Sequence, residues 1–396
     1  MLKGKNIVLG VSASIAAYKA AGLVSTLIKQ GAEVDVIMTA NACRLISPLA
    51  FEALTSRKCL VDTFDRNFSY DVRHVSLAHK ADVLIVAPAT ANVIGKFANG
   101  ICDDMLSTTF MACRCPKIVA PAMNTNMWNN EVLQDNLRKL VRYGVSVVQP
   151  VEGRLACGDV GCGKLASEDE LLEHILLQIA MPHDMQGKRV LVTAGPTCEP
   201  IDPVRYITNR SSGKMGFALA KMAWLRGAEV TLVMGSVCLS PLHGVETVTV
   251  TTAQEMFDAV TSRSDDFDIV VMCAAVADYT PRECLSQKMK KGDGELTVSL
   301  TRTRDILEYL GKNKRKGQMI VGFSMETESL LDNSRAKLNK KQADMICANT
   351  IASSVTGFSV DTNQVTLITQ DSVKELPLCS KDETANLILD AIMERL

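Results

Sequence analysis

No apolar run in this 396-residue chain reaches the roughly 18 residues that a membrane-spanning helix needs. The opening stretch MLKGKNIVLGVSASIAAYKAAG is basic and then apolar, but Ser12, Ser14, Tyr18 and Lys19 interrupt it. It reads as strand, turn and helix, and not as a secretory leader. Charge bias is missing too, with 43 basic residues against 44 acidic ones. That removes any general electrostatic ground for binding nucleic acid or an anionic membrane. Thirteen cysteines are many, yet without a leader a disulfide scaffold is not expected. Cys273 in DIVVMCAAV and Cys347 in DMICANT read as small buried hydrophobes. A reducing cytoplasm is the expected compartment.

What the chain does have is alternation. Residues 5–10 (KNIVLG) read as a strand, and a helix follows to about Lys29 and stops at Gly31. Further short, β-branched runs follow at 33–39, 81–90, 116–123 and 146–150, with amphipathic segments between them. The polar MPHDMQGK at 181–188 breaks the rhythm, and KRVLVTAGPT at 188–197 restarts it. A helix at 214–226, strands at 268–275, 318–323, 344–349 and 364–369, and a last helix near 381–395 complete the pattern. The length and the break predict two α/β domains, each a doubly wound parallel sheet: residues 1–181, a linker at 182–188, and residues 189–396. QGAEVDVIMT (30–39) and RGAEVTLVMG (226–235) look like the same helix stop and second strand used twice. A true repeat and local helix-stop physics both explain that.

The dinucleotide fingerprint GxGxxG is absent from the first turn, GVSASI, at residues 10–15. The second strand ends on Thr39 in one half and Gly235 in the other, where an acidic residue would grip an NAD ribose. Ser12 and Ser14 either cap a helix or hold the phosphate of a mononucleotide such as FMN. RLACGDVGCGKL (154–165) has most of a phosphate loop, but Leu165 stands where a magnesium-binding hydroxyl is required. Its cysteines, Cys157 and Cys162, lack a second ligand pair for zinc. Two readings stay open: a glycine-rich flap that closes over a ligand and carries an accessible thiol, or a loop whose cysteines are incidental. PAMNTNMW (121–128) follows a strand at the edge where α/β sheets bind ligands, so Asn124 either meets a substrate or caps a helix. His74 precedes a helix and is by itself a weak signal.

In the second half, TAGPTCEPIDPVRYITNRSSGKMG (193–216) is a long loop ending in an anion cradle, SSGK. CAAVADYTP (273–281) closes a strand on small residues. The lysine clusters SQKMKK (286–291) and KLNKK (337–341) suit either a solvated face or a triphosphate.

Taken together, these stretches, with RHVSLAHKADVLIVAPATANVIGKFANGICDD and GFSMET, resemble end to end the bacterial bifunctional coenzyme A biosynthesis flavoproteins. In that family a phosphopantothenoylcysteine decarboxylase is fused to a phosphopantothenate–cysteine ligase. The resemblance implies a flavodoxin-like FMN domain followed by a Rossmann-like ligase domain. It implies that FMN oxidises the substrate thiol toward a thioaldehyde, which acts as the electron sink for loss of CO2, and that the electrons then return to give 4′-phosphopantetheine. It assigns His74, Asn124 and Cys157 to that catalysis, with Asn124 on the carboxylate and Cys157 as proton donor. A free thiol, with a pKa of about 8.5, is protonated at neutral pH and suits that role. Ser12, Ser14, Thr39 and Ser107 fall on FMN-binding positions.

For the ligase half the resemblance implies CTP, magnesium, an acyl-cytidylate and attack by L-cysteine. It assigns Asn209 and Lys288 to catalysis. Ala274, Asp278, Lys288, Thr303, Arg304, Asp305, Ile306, Phe323, Lys337 and Lys341 fall on CTP positions, with Asp278 also the metal candidate. It further implies trimer-based dodecamers with FMN sites shared between subunits and paired ligase halves. The chain departs from the family in Ala13-Ser14 for Gly-Gly, Thr303-Arg304 for Asn-Pro, and Ser324-Met325 for Ala-Ala. Two other readings stand beside this one: a flavin-binding regulatory relative, and an enzyme with only one activity.

Overall fold

The computed structural model describes residues 1–64, 72–156, 158–290, 297–326, 329–350 and 361–396, and it divides into two compact units, Met1–Pro182 and His183–Leu396. Among the described residues no helix is long and apolar enough to cross a membrane.

In the first unit β1 (Asn6–Val11) leads through a short turn into α1 (Lys19–Lys29). Ala20, Leu23, Val24 and Leu27 form the buried stripe of α1, at helical spacing. Gly31, at φ +89°, ends it and delivers β2 (Glu33–Met38). Next come α2 (Pro48–Thr55), α3 (Arg73–Lys80), β3 (Val83–Ala89), α4 (Ala91–Asn99), α5 (Met105–Ala112), β4 (Lys117–Pro121), α6 (Thr125–Trp128), α7 (Glu131–Arg142) and β5 (Val145–Val147). The five strands are all parallel, in the order β2-β1-β3-β4-β5. That is the flavodoxin-like winding, with its switch point between β1 and β3. Every residue of β3 is buried, which is why its sequence is an unbroken apolar run. The stretch read as a flap is an antiparallel hairpin, β6 (Val151–Arg154) and β7 (Val160–Lys164), followed by α8 (Glu168–Ile179).

The second unit opens with β8 (Arg189–Ala194). Its long loop carries its own small hairpin, β9 (Cys198–Pro200) with β10 (Tyr206–Thr208). Then follow α9 (Lys214–Leu225), β11 (Glu229–Met234), β12 (Glu246–Thr249), α10 (Ala253–Thr261), β13 (Ile269–Met272), the pair β14 (Tyr279–Pro281) and β15 (Leu300–Arg302), and α11 (Ile306–Asn313). The unit ends with β16 (Met319–Glu326), α12 (Leu330–Lys341), β17 (Met345–Thr350), β18 (Thr362–Asn363), β19 (Val365–Ile368), β20 (Val373–Glu375), β21 (Cys379–Ser380) and α13 (Lys381–Met393). The main sheet runs β12-β11-β8-β13-β16-β17-β19-β20. Its first six strands are parallel in Rossmann order, and β19 and β20 extend it antiparallel. β20 turns back antiparallel on β19 because the connection at 369–372 is too short for a parallel crossover.

The two halves repeat at the level of single bonds. The Glu33 amide donates to the Lys5 carbonyl at 2.8 Å, and the Glu229 amide to the Lys188 carbonyl at 2.9 Å. The carboxylate just before the strand that flanks the first strand on the side away from the second (β3 and β13) accepts from the first residue of the first strand in both: Asn6 N to Asp82 at 2.7 Å, and Arg189 N to Asp268 at 3.0 Å. Local helix-stop physics accounts for the glycines but not for this shared carboxylate latch.

Candidate active sites

In the first unit the carboxyl ends of β1, β3 and β4 border two adjoining cavities of about 490 and 600 Å³, which share Ala13, Thr90 and Met127. Ser14 lines the first, Ser12 and Thr39 the second. The Ser12 hydroxyl is buried and committed: it donates to the Pro88 carbonyl at 2.8 Å and accepts from Thr90 N at 2.9 Å. It therefore ties the β1 turn to the end of β3. Ser14 caps the short turn helix that follows, accepting from Ala16 N at 3.4 Å. Ser107 lines neither cavity; it is buried in the capping box of α5 with Asp104. Burial works to raise the Asp104 carboxyl, but Lys96 and Ser107 overcome it and hold it below the usual range. At the start of α4, Thr90 makes no side-chain cap bond, and Ala91, Asn92 and Val93 line the second cavity. Uncapped amides at a helix start, opening into a cavity of mononucleotide size, fit a phosphate.

Asn124 lies on the wall of the first cavity, just past β4. Its Oδ1 accepts from Asn126 N at 2.8 Å, and its Nδ2 donates to the Asp159 carboxylate at 3.2 Å. One end of the amide thus caps the helix, and the other binds a carboxylate of the hairpin. Asp159 belongs to the tip of the β6–β7 hairpin, closed by Leu155 N to Asp159 O at 2.8 Å. The hairpin rests on the loop after β4 through Met123 N to Gly163 O at 2.9 Å. Its glycines permit this. A Cβ on Gly163 would lie 2.3 Å from the Met123 carbonyl, and one on Gly161 2.8 Å from Thr125 Oγ1. Cys157 lies outside the described residues, while Leu155 and Ala156 before it line the same cavity as Asn124. Cys162 donates to the Pro150 carbonyl at 3.2 Å, and burial pushes its thiol up. His74, half-buried near the start of α3, lines neither cavity.

In the second unit one cavity of about 400 Å³ gathers Ala274, Asp278, Thr303, Arg304, Asp305, Ile306, Phe323 and Lys337. Lys337 Nζ donates to the Phe323 carbonyl at 2.8 Å. Lys341 is not on this wall; it pairs with Asp305 and with Glu308 at 2.9 Å. Lys312 and Lys341 together bring the Glu308 carboxyl down to about 2. The loop 273–278 is held group by group. Thr193 Oγ1 accepts from the amides of Cys273 and Ala274 at 3.1 and 3.0 Å, and Thr197 Oγ1 from Ala277 N at 3.0 Å. Asn209 Nδ2 donates to the carbonyls of Ala275 and Val276, each at 3.2 Å. Burial pushes the Cys273 thiol up to about 12 and Cys347 up likewise, as inert packing requires.

Lys288 is exposed and off the cavity wall, but its neighbour Met289 is fixed: its amide donates to Asp202 at 3.1 Å and its carbonyl accepts from Arg205 at 3.2 Å. Asp202 is a residue that the sequence reading passed over. Burial opposes its charge, yet the amides of Val204, Met289 and Arg205 hold its carboxyl below the usual range. It ties the loop bearing Asn209 to the loop bearing Lys288. The signal was present as Asp-Pro-Val-Arg, an aspartate poised to accept from amides two and three residues on. The buried threonines 193 and 197 were missed because threonine in an apolar, strand-like run looks like β-propensity alone. Among the described residues no group of three His, Cys, Asp or Glu gathers as a metal cage.

The flavoprotein family matches residues 1–180, and the C-terminal domain family of DNA/pantothenate metabolism flavoproteins matches residues 185–396. The chain is 46% identical over 398 residues to the coenzyme A biosynthesis bifunctional protein CoaBC of Bacillus subtilis, covering 99% of this chain and 97% of that one. It is 42% identical to the protein of the same description from Vibrio cholerae over 397 residues, covering 100% and 99%. A solved C-terminal domain of a coenzyme A biosynthesis bifunctional protein CoaBC is 44% identical, covers 53% of this chain and 96% of its own, and superposes with a TM-score of 0.46.

Proposed function

The chain belongs to the family of coenzyme A biosynthesis bifunctional proteins, as an enzyme with a decarboxylase flavoprotein half and a ligase half, and from that premise we propose how each half works. The C-terminal half joins L-cysteine to 4′-phosphopantothenate through an acyl-cytidylate made from CTP. The N-terminal half, with FMN, decarboxylates the product to 4′-phosphopantetheine. The observation that carries the ligase reading is the single cavity gathering eight nucleotide positions scattered from 274 to 337.

Asn209 spends both amide hydrogens on the carbonyls of Ala275 and Val276, which leaves its Oδ1 to accept from the bound intermediate. Lys288, carried beside the Asp202-anchored Met289, supplies positive charge as the acyl phosphate develops. Among the described residues Asp278 is the one carboxylate on the cavity wall not paired with lysine or capping a helix, so magnesium would be held largely by phosphate oxygens with Asp278 as a protein ligand.

In the decarboxylase half, bound FMN supplies a two-electron acceptor and donor. Its phosphate would sit at the start of α4, where Thr39 and the Ser12-fixed turn border the second cavity. Asn124 Nδ2 already donates to a carboxylate, that of Asp159, and would hold the substrate's carboxylate in the same way. Cys157, which follows Ala156 in the sequence, returns the proton after CO2 leaves. His74 is supplied to the site by a neighbouring subunit, in a trimer-based dodecamer with paired ligase halves.

The test is direct. The purified protein should be yellow. It should release pyrophosphate only with phosphopantothenate present, faster with CTP than with ATP, and CO2 from phosphopantothenoylcysteine. A colourless preparation that turns over neither substrate defeats the reading; a particle no larger than a dimer defeats the assembly.

A further inference from the structure

Residues 303–305 are three consecutive positions on the nucleotide-cavity wall, and each is tied to a different element. Thr303 binds the small-residue loop, its hydroxyl donating to the Ala277 carbonyl at 2.7 Å and its amide to the Asp278 carbonyl at 3.0 Å. Asp305 caps α11 by accepting from Glu308 N at 2.9 Å, and it also takes Lys341 from α12. Arg304 goes to α10. Its guanidinium lies 3.8 Å from the centroid of the Phe257 ring, donates to Asp258 at 2.9 Å and reaches Gln254 at 3.3 Å. Phe257 is buried and stands edge-on to Tyr309 of α11, with centroids 5.2 Å apart, so the stack continues across both helices.

An arginine at this position would be read from the sequence as a cation for the triphosphate. The geometry points elsewhere: we propose that Arg304 is a positioning residue, a brace that fixes the cavity wall to α10, and not a nucleotide ligand. This rests on the proposed CTP site. One face of the guanidinium lies on Phe257, its Nε and Nη2 donate to Gln254 and Asp258, and Asp258 pairs with its charge. The footing is firm, because α10 is itself anchored: Glu199, buried, accepts from Ala253 N at 2.8 Å, and Thr252 with Glu255 forms a capping box. Lys341 braces the other end of the same three residues from α12.

The two roles differ in sign. If Arg304 is a brace, Asp258 is part of it, and removing either partner loosens the wall. If Arg304 touches phosphate, Asp258 competes with the nucleotide, and removing it frees the arginine. Titrating CTP into the whole protein by calorimetry should therefore show Arg304→Ala and Asp258→Ala weakening binding alike, each by roughly three- to tenfold, the scale of an exposed cation–π contact with its ion pair. The double variant should be no weaker than the worse single one. Arg304→Lys, which keeps the charge but not the stacking plane, should fall between. In the ligase assay KM for CTP should rise while kcat stays. Tighter or unchanged CTP binding in Asp258→Ala overturns the brace and leaves the CTP site standing. A wild-type protein that binds neither CTP nor ATP overturns both.

Discussion

Replacing Gly163 by alanine tests whether the glycine hairpin must close on the loop after β4 for the decarboxylase half to work. The added Cβ would lie 2.3 Å from the Met123 carbonyl oxygen, a backbone atom that cannot rotate away. The residue also sits at φ +147°, where an L side chain is strained. Overpacking costs about 1–3 kcal/mol and the unfavourable backbone about 1–2, together about 2–5 kcal/mol against the docked hairpin. The described hydrogen bonds that hold the hairpin to the loop after β4, Met123 N to Gly163 O and Asn124 to Asp159, are each worth on the order of 1 kcal/mol. A lone two-stranded hairpin has little stability of its own. The domain should therefore stay folded while the hairpin lifts, taking Leu155 and Ala156 away from the cavity. Decarboxylation, followed as CO2 release from phosphopantothenoylcysteine, should fall at least tenfold in kcat/KM, at about 1.4 kcal/mol per decade. The thermal midpoint and the flavin spectrum should hold. Gly161→Ala should do less, because its Cβ meets the Thr125 side chain, which can turn aside. Wild-type turnover in Gly163→Ala, or a larger loss in Gly161→Ala, would refute the reasoning.

Three further outcomes can be checked separately. Cys157→Ser should still release CO2 but accumulate the enethiol in place of 4′-phosphopantetheine, as seen by mass spectrometry; normal product would remove Cys157 as the acid. Asn209→Ala should cut phosphopantothenate-dependent pyrophosphate release by at least tenfold, since it loses both bonds to the loop 273–278 and the remaining acceptor, without changing the flavin half. Arg226→Met should destabilise the C-terminal unit by about 1–3 kcal/mol in urea titration: the buried guanidinium binds Asp184, Asp390 and Asn386, but the two carboxylates are half exposed and can rehydrate. Arg226 holds the Asp184 carboxyl below its usual range, with burial opposing. Because that folded value is depressed, its share of the stability is present above about pH 4 and fades as pH falls through the lowered value, so the gap between wild type and variant should narrow in acid.

The parallel strands were legible because burial on both faces writes them as unbroken apolar runs. VLIVAPA in β3 is the clearest case, and the predicted strand at 81–90 contains it. The small antiparallel pieces were not legible. Val151–Arg154 and Val160–Lys164 contain three glycines and little bulk, so neither periodicity nor propensity marks them as strands. They pair because the loop after β4 gives them a surface, and that surface is a tertiary fact. The edge strand β20 carries Lys374 and Glu375 outward and reads as loop for the same reason.

The candidate sites divide along the same line. Alternation and strand-edge position led to the strand ends where the cavities lie, because the carboxyl edge of a parallel sheet follows from topology alone. They did not find which hydroxyl faces the ligand and which faces the protein. Ser12 read as either a helix cap or a phosphate contact, and its Oγ bonds Pro88 and Thr90; Arg304 read as a charge near the base or triphosphate, and its guanidinium bonds Asp258 of α10. In both places the residue type fits either role, and only the partner decides. The glycines of the hairpin show the converse. At Gly161 and Gly163 the choice of residue is dictated by an atom about forty positions earlier in the chain, Thr125 Oγ1 or the Met123 carbonyl. A glycine placed for close approach carries no local turn signal, so a sequence can announce that the stretch is unusual while the reason lies on the neighbouring loop.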